Sequence, residues 1–316
     1  MAGVEARALV FTELGKAAVS TIQVPHPGSG WLRLRTLACG LCWREVHVYY
    51  GKLRRPFPTV MGHEPVGIVE QIGQSVTGFK VGDIVTAIGQ ESLAEYCLVE
   101  AKYASQVSPV ALPVYSIGEP AMCALAAIRR AQPKAGDLVI VNGVGFMGQL
   151  LVQGLLKTVD VSVAAVDVRM EHLILAEQAG AQHCLDAKDL NPDAIRHRCG
   201  RLADIVFEAS GKSGTIFPAT QCVRNGGTLC LFGHHFSVEP EAVNDWHLRG
   251  IAVLNTVPWA SPDLAGDFRD AVKMLNAGQF DLGPLITHQA ELAEASGLIE
   301  LANARPQGFM KAVVVF

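Results

Sequence analysis

Up to about residue 110, short apolar runs alternate with turns rich in glycine and proline. The runs contain many β-branched residues, and turns such as Pro25–Gly30 and Val81–Asp83 separate them. Short strands at this spacing are typical of a small antiparallel barrel or sandwich. The pattern predicts these strands: Ala8–Phe11, Trp31–Leu37, Val66–Ile72, Ile84–Ala87 and Ala94–Val99.

Beyond Leu112, apolar runs alternate with segments of helical periodicity. This alternation indicates βαβ units, which form a parallel sheet flanked by helices. The predicted strands are Leu138–Asn142, Val161–Val166, Ala203–Phe207 and Thr228–Phe232, with helices that run to Lys157 and from about Glu171 to Gly180. After about Pro258 the pattern predicts a helix, Asp263–Asn276, and a final strand, Lys311–Phe316, without indicating which domain they join.

Composition narrows the class of protein. The chain has 316 residues, of which 50% are apolar and 18% charged, as in a folded protein with a large core. The net charge is −4 and basic residues form no stripe, which argues against a nucleic-acid-binding protein. Because Met1–Val10 lacks the apolar core of an export signal, we expect a cytoplasmic protein with free or metal-binding cysteines. Glycines and polar residues interrupt the uncharged run Leu138–Leu156, so we do not expect it to span a membrane.

A glycine-rich motif lies between the predicted strand Leu138–Asn142 and the helix that follows it. The motif fits G-x-G-x-x-G and consists of Gly143, Val144, Gly145, Phe146, Met147 and Gly148. In this setting the glycines allow a tight turn and close approach of a pyrophosphate, which the helix N-terminus stabilises. Asp167 ends the next predicted strand, where a carboxylate binds ribose hydroxyls and repels a 2′-phosphate. The motif therefore predicts NAD(H) binding, although Arg169 is the kind of basic residue that accommodates NADP.

Two clusters of possible metal ligands lie in the β-rich part of the chain. Cys42 belongs to the segment Gly40–His47, and His63 and Glu64 belong to Gly62–Gly67. A thiolate, an imidazole and a carboxylate with one open position form the ligand set of a catalytic zinc site. Two alternatives stay open: a surface His63–Glu64 pair and a redox dithiol formed by Cys42 with Cys39. The dithiol is disfavoured because no thioredoxin-like βαβ unit surrounds it.

In order and spacing, these motifs resemble those of the zinc-containing medium-chain dehydrogenases, which include alcohol, sorbitol and threonine dehydrogenases. The resemblance covers nearly the whole chain and rests on Gly40-x-Cys42 with His47 and Gly51, Gly62-His63-Glu64-x-x-Gly67, Val81-Gly82-Asp83, Ala94-Glu95-Tyr96, Glu119-Pro120, the glycine motif and Gly226-Gly227. It implies an α/β fold with a Rossmann-type doubly wound parallel sheet and a β-rich, GroES-like catalytic domain. The expected domains are residues 1–118 (catalytic, zinc-binding), 119–257 (dinucleotide-binding) and 258–316 (returning to the catalytic domain).

The resemblance also implies roles for individual residues. A catalytic zinc would be bound by Cys42, His63 and Glu119, with Glu64 able to move in as a ligand. Glu45 would support the His63 ring, and His47 would end a proton relay near the cofactor ribose. Further cofactor contacts are implied for His172, Ser210, Gly233, His234 and Lys311.

Two departures from the family pattern change these expectations. The family often has a lobe of four cysteines that holds a structural zinc, whereas this chain runs from Gly89 directly to Ala94, so we expect one zinc. Arg44 occupies the position at which a Ser or Thr usually relays the alcohol proton, and a guanidinium stays protonated. Arg44 could act on the alkoxide or an anionic substrate group, or could form a surface ion pair with Glu45 or Glu64.

Together these features predict an NAD-dependent zinc oxidoreductase that interconverts a secondary alcohol or polyol and the ketone. Zinc would act on the alcohol as a Lewis acid, and NAD⁺ would accept the hydride. We expect a homodimer or homotetramer with a small-molecule substrate and neither nucleic-acid nor membrane partners. The alternatives are a zinc-free quinone or enone reductase of the same fold and a non-catalytic dinucleotide-binding regulator.

Overall fold

In the computed structural model, which describes residues 3–108 and 110–316, the chain divides into two units. The first unit consists of two segments, the chain up to Met122 and Phe268–Phe316, and the second unit is Cys123–Asp267. The boundaries expected from the sequence, after residues 118 and 257, fall within four and ten residues of these divisions and stay predictions.

Two β-sheets form the first unit. Its strands are β1 (Val4–Glu13), β2 (Lys16–Val24), β3 (Trp31–Leu41), β4 (Thr59–Val60), β5 (Glu64–Ile72), β6 (Ile84–Gly89), β7 (Tyr96–Gln106) and, near the C-terminus, the strands Ile286–Glu291 and Lys311–Val315. One sheet has the order β2-β1-β4. In the other sheet β3 pairs with both β5 and β7, and β6 joins β5 to β7. These four strands therefore close into a small antiparallel barrel, one of the two architectures that the alternating pattern predicts.

A short helix and a C-terminal helix cover one face of this unit. Helix α1 (Trp43–Tyr49) begins directly after β3, and its buried residues pack in the same apolar cluster as those of the helix Ala295–Ala304. Phe11 and Tyr49 lie in this cluster with their rings edge to face at 5.7 Å between centroids. Because apolar burial stabilises the junction between β3 and α1, the residues around Cys42 lie on a rigid scaffold.

The second unit is built around a six-stranded parallel sheet. Its strands are β8 (Leu138–Asn142), β9 (Ser162–Asp167), β10 (His183–Asp186), β11 (Ala203–Glu208), β12 (Val223–Leu231) and β13 (Ala252–Asn255). Its helices are α2 (Gly118–Ala131, which begins in the first unit), α3 (Phe146–Thr158), α4 (Met170–Ala179), α5 (Pro192–Cys199), α6 (Ile216–Cys222), α7 (Pro240–Arg249) and α8 (Leu264–Asn276, which ends in the first unit).

The strand order confirms the predicted fold class. The order is β10-β9-β8-β11-β12-β13, so the first and fourth strands of the sheet, β8 and β11, are neighbours. In a doubly wound sheet the chain reverses its direction of winding here, and ligands bind at the carboxyl ends of these strands.

The uncharged run Leu138–Leu156 does not form one continuous helix. It is divided between β8 and α3, with the glycine motif between them. Over the two described ranges, no helix has the length and apolar character needed to cross a bilayer.

Candidate metal and cofactor sites

The turn between β3 and α1 places Cys42 and Glu45. Cys42 is the residue that caps the N-terminus of α1, and Glu45 lies one turn into the helix. The Cys42 amide donates a hydrogen bond to Glu45 Oε2 at 3.0 Å. This reciprocal capping satisfies amides that a helix N-terminus leaves unpaired. Cys42 is therefore held at a fixed point where the chain turns.

Glu45 also orients the second candidate ligand, His63. The carboxylate of Glu45 is completely buried, and its Oε1 accepts a hydrogen bond from His63 Nδ1 at 2.9 Å. This contact leaves Nε2 as the ring atom available to a metal. Histidine ligands usually donate their other N–H to a carboxylate or carbonyl, which fixes the orientation of the ring.

Glu64 occupies space that a glycine leaves open. A Cβ atom added at Gly40 would lie 1.9 Å from Glu64 Oε2, so any other residue at this position would displace the carboxylate. Glu64 is buried, and Lys311 Nζ lies 2.6 Å from its Oε2. The resemblance to the family implies a cofactor contact for Lys311, whereas the structure places its ammonium group against Glu64.

Cys42, His63 and Glu64 come together as a group of possible metal ligands. One donor atom from each lies within 4.8 Å of the other two, and no further such group of three exists within the two described ranges. A sulfur, an imidazole nitrogen and a carboxylate oxygen at this separation fit the chemistry of zinc. Glu119, in the first turn of α2, is buried but does not belong to this group.

The charges around this group are strongly coupled. Burial acts to lower the pKa of His63, but the Glu45 carboxylate and the Cys42 sulfur raise that pKa well above its ordinary value. Burial likewise acts to lower the pKa of Lys311, yet the charges of Glu64, Cys42 and Glu119 raise it. A metal that binds the His63 ring therefore competes with a proton there.

Several nearby residues bear on the alternatives left open by the sequence. Cys39 is completely buried in β3, and burial raises its pKa well above the usual range, which disfavours a redox dithiol. Arg44 is 40% exposed at its side chain, with Nε 3.7 Å from Glu45 Oε1. His47 is buried, and its ring lies against that of Trp43 with centroids 4.7 Å apart. The carboxylate that faces Arg44 is thus buried rather than on the surface, while the guanidinium itself is partly exposed to a bound substrate.

In the second unit, the glycine motif forms the tight turn between β8 and α3. Gly143 adopts φ +93°, a left-handed conformation that favours glycine, and a Cβ there would lie 2.6 Å from the Ser210 amide nitrogen. A Cβ at Gly148 would lie 2.0 Å from the Gly143 carbonyl oxygen, whereas Gly145 has open space on that side. Gly145 caps α3, and as a glycine it has no side chain that could cover the N-terminus of this helix. This open, positively polarised end fits a pyrophosphate.

Asp167 lies at the carboxyl end of β9, beside the glycine motif. Its Oδ2 accepts a hydrogen bond from the Val144 amide at 2.9 Å, and its Oδ1 accepts one from the Arg169 amide at 2.9 Å. Each carboxylate oxygen has a second lone pair with which it can accept from a ribose hydroxyl. His172 Nδ1 lies 3.2 Å from Asp167 Oδ2, and Arg169 Nη1 lies 3.9 Å from Glu171 Oε1.

A buried carboxylate near Ser210 escaped the sequence analysis. Glu208 ends β11 and is completely buried, although the predicted strand ends at Phe207. Its side chain accepts a hydrogen bond from the Ser210 hydroxyl and contacts His235, which follows Gly233 and His234. The signal for it was an acidic residue directly after an apolar strand, the same arrangement that singled out Asp167.

Comparisons with known proteins agree with this architecture. The alcohol dehydrogenase GroES-like domain model matches residues 28–148, and the zinc-binding dehydrogenase model matches residues 147–277. The chain is 28% identical to an alcohol dehydrogenase of Geobacillus stearothermophilus over 78% of this chain and 82% of the relative. It is 27% identical to the 2-dehydro-3-deoxy-L-galactonate 5-dehydrogenase of Pseudoalteromonas atlantica over 91% and 92% of the two chains.

A solved structure shares the fold over nearly the whole chain. A protein of Sinorhizobium meliloti 1021 bound to NADP superposes with a TM-score of 0.86 at 24% identity, covering 99% of this chain and 100% of that one. The two family models together extend from residue 28 to residue 277, and both describe dehydrogenase domains. The chain belongs to the zinc-containing medium-chain dehydrogenase/reductase family, whose members are oxidoreductases.

Proposed function

We propose that this protein is a zinc-dependent oxidoreductase that interconverts a secondary alcohol or polyol and the corresponding ketone with NAD(H). The convergence of Cys42, His63 and Glu64 within 4.8 Å carries the proposal, because this donor set suits a catalytic zinc with an open position. Asp167 at the end of β9 favours NAD over NADP, since its charge would repel a 2′-phosphate. The NADP-bound structural neighbour makes this cofactor choice a point for experiment.

The residues of the first unit would bind and orient the reacting groups. Zinc supplies Lewis-acid chemistry at the alcohol oxygen, and the nicotinamide supplies hydride acceptance and donation. Cys42 and His63 would hold the metal, with Glu64 or Glu119 as the third ligand. Glu45 would keep the His63 ring in its binding orientation through the 2.9 Å hydrogen bond. His47 would pass the alcohol proton outward, because Arg44 replaces the usual hydroxyl.

We further propose that the substrate carries an anionic group. Arg44 is part-exposed beside the candidate zinc ligands, and a guanidinium forks onto carboxylate or phosphate oxygens. One relative is named for a sugar-acid substrate, a 2-dehydro-3-deoxy-L-galactonate. Polyols and sugar acids with a secondary hydroxyl are therefore the first compounds to test.

Metal analysis together with a substrate panel tests this proposal. The purified protein should hold one zinc per chain and reduce NAD⁺ with a secondary alcohol, polyol or sugar acid, followed by NADH absorbance. Cys42→Ser should lose zinc and turnover together, whereas Cys97→Ser, which changes a buried thiol of β7, should retain both. Turnover of quinones or enones without zinc would replace the proposal with a zinc-free reductase. Absence of turnover with every class of substrate would support the alternative of a non-catalytic, dinucleotide-binding regulator.

A further inference from the structure

We propose that Glu208 is a positioning residue for the dinucleotide site, which acts by tying together three loops at the carboxyl edge of the parallel sheet. The loops follow β8, β11 and β12. This inference rests on the proposed use of a nicotinamide dinucleotide, because it concerns how the chain prepares that site. It requires neither zinc nor any particular substrate.

The carboxylate of Glu208 contacts the last residue of β8 and the loops that follow β11 and β12. The group that surrounds it, here called the Glu208 network, consists of Asn142, Ser210, Gly211, Thr215 and His235. Thr215 Oγ1 lies 2.9 Å from Glu208 Oε1 and 2.7 Å from the Lys212 carbonyl oxygen, and its one proton is shared between these two acceptors. Asn142 Nδ2 donates to Glu208 Oε1 at 3.4 Å. The Ser210 hydroxyl and His235 Nε2 also contact the carboxylate. Glu208 therefore connects residues separated by more than ninety positions along the chain.

The backbone of Glu208 binds one of these loops as well. Its carbonyl oxygen accepts hydrogen bonds from the Phe232 amide at 2.9 Å and from the Gly233 amide at 2.7 Å. A Cβ at Gly233 would lie 2.6 Å from the Gly211 amide nitrogen and 3.2 Å from Glu208 Oε2. The loops after β11 and β12 are thus packed against each other with no room for a side chain between them.

The same arrangement reaches the glycine motif. Gly143 approaches Ser210 so closely that a Cβ would lie 2.6 Å from its amide nitrogen, and Ser210 is held by Glu208. The loops after β8 and β11 meet where the winding of the sheet reverses, the place at which a dinucleotide binds in this type of sheet. Movement of Ser210 would therefore move one wall of the cofactor site.

Stability alone gives little reason for a charged group at this position. A completely buried carboxylate costs desolvation free energy, and well-packed apolar residues usually match or exceed the stability of buried charged groups. A fully hydrogen-bonded polar network instead fixes a single arrangement of the groups it joins. Preorganised loops bind a ligand more tightly because less ordering remains to be done on binding.

The experiment compares two carboxylates on the same strand. Glu208→Gln removes the charge at the carboxyl end of β11, and Asp204→Asn is the same change near the amino end, where Asp204 pairs with Arg224 at 2.6 Å. Thr215→Val removes the hydroxyl that lies beside Glu208 Oε1 and is the milder variant if Glu208→Gln folds poorly. The Kd for NADH is measured by titration calorimetry on the full chain, the KM for NAD⁺ and kcat by NADH absorbance, and folding by thermal melts.

We expect Glu208→Gln to raise the Kd for NADH about 10- to 100-fold and Thr215→Val about 3- to 10-fold, as for lost hydrogen bonds in a buried site. Asp204→Asn should change the Kd for NADH less than about 2-fold, even if this variant lowers the melting temperature as much as Glu208→Gln does. In Glu208→Gln the KM for NAD⁺ should rise, whereas kcat should stay within about 3-fold of the value for the unmodified protein. This is the pattern of a lost binding interaction.

Three outcomes would overturn this role. Unchanged NADH affinity in Glu208→Gln and Thr215→Val, with tight binding by the unmodified protein, would overturn the role and leave the proposed function intact. Equal losses of NADH affinity in Glu208→Gln and Asp204→Asn would show that Glu208 contributes only to stability of the fold. Failure of the unmodified protein to bind either NADH or NADPH would overturn the proposed function together with this inference.

Discussion

Replacing Glu45 with glutamine should weaken zinc binding without unfolding the protein. The carboxylate is completely buried, and it accepts one hydrogen bond from His63 Nδ1 at 2.9 Å and one from the Cys42 amide at 3.0 Å. Glutamine preserves the side-chain length but has an acceptor oxygen at only one of the two positions, and because the two donors point to different oxygens, one of these bonds is lost. Two candidate ligands of the metal therefore depend on this one side chain.

The magnitude follows from burial and charge. A hydrogen bond to a charged group contributes about 1.5–3 kcal/mol, and the outer partner of a metal-binding histidine changes metal affinity about 10- to 100-fold. Water cannot replace the lost bond, because Glu45 is 0% exposed and His63 only 7% exposed. We therefore expect the upper part of this range, about 30- to 100-fold weaker zinc binding.

Competition with a chromophoric chelator at neutral pH measures this change, and a thermal melt reports folding. Glu95→Gln is the matched control in the same unit, because Glu95 also accepts a backbone amide and a side-chain donor, both from Arg7 at 2.8 Å. Its zinc affinity should stay within about 2-fold of the unmodified protein. Unchanged zinc affinity in a folded Glu45→Gln protein would refute the orienting role, and equal losses in both variants would point to a general loss of structure.

Three further changes test other parts of the molecule. Arg44→Ser should lower kcat/KM about 10- to 100-fold for a sugar acid and less than about 3-fold for a neutral polyol, because only the sugar acid offers a charge to the guanidinium. Equal losses of kcat/KM for the two substrates would contradict an anionic subsite. Asp167→Ala should narrow the preference for NAD⁺ over NADP⁺ at least about 10-fold in kcat/KM, and a natural preference for NADP⁺ would contradict our view of the ribose pocket. Burial acts to raise the pKa of Asp204, but hydrogen bonds from Arg224, the Leu138 amide and Arg201 outweigh it and lower that pKa. The charged form therefore stabilises the fold above the unfolded pKa of about 3.9, and this stabilisation is lost as the pH falls through the lower pKa of the folded state. Asp204→Asn should accordingly lower the melting temperature at neutral pH by an amount that shrinks below about pH 4, and calorimetric melts that show a constant difference would contradict this.

The fold could be predicted from the sequence because its main signals are local. The strand Leu138–Asn142 has the bounds predicted for it, and α3 ends within one residue of the predicted Lys157. A buried parallel strand is apolar throughout, and a helix that starts at a glycine turn needs particular residues at neighbouring positions. Asp167 was found for the same reason, since the end of an apolar strand is visible in the sequence.

Elements that depend on contacts outside their own residues escaped prediction. β2 is mostly exposed and gains its hydrogen bonds from β1, so its sequence lacks the alternation of a half-buried strand. α1 has only seven residues, too few for stability in isolation, and packs against the helix Ala295–Ala304. Both elements exist because of residues elsewhere in the chain.

Within the candidate sites, the sequence alone determined which residue types were available, and tertiary contacts decided which of them meet. Cys42, His63, Glu64 and Glu119 were all recognisable as possible ligands, but only the folded chain places Glu64 with the first two and sets Lys311 beside it. The Glu208 network likewise joins loops that lie far apart in sequence. Local patterns encode backbone conformation and burial, whereas the distance between two side chains depends on how strands pair and how glycines such as Gly40 let them approach.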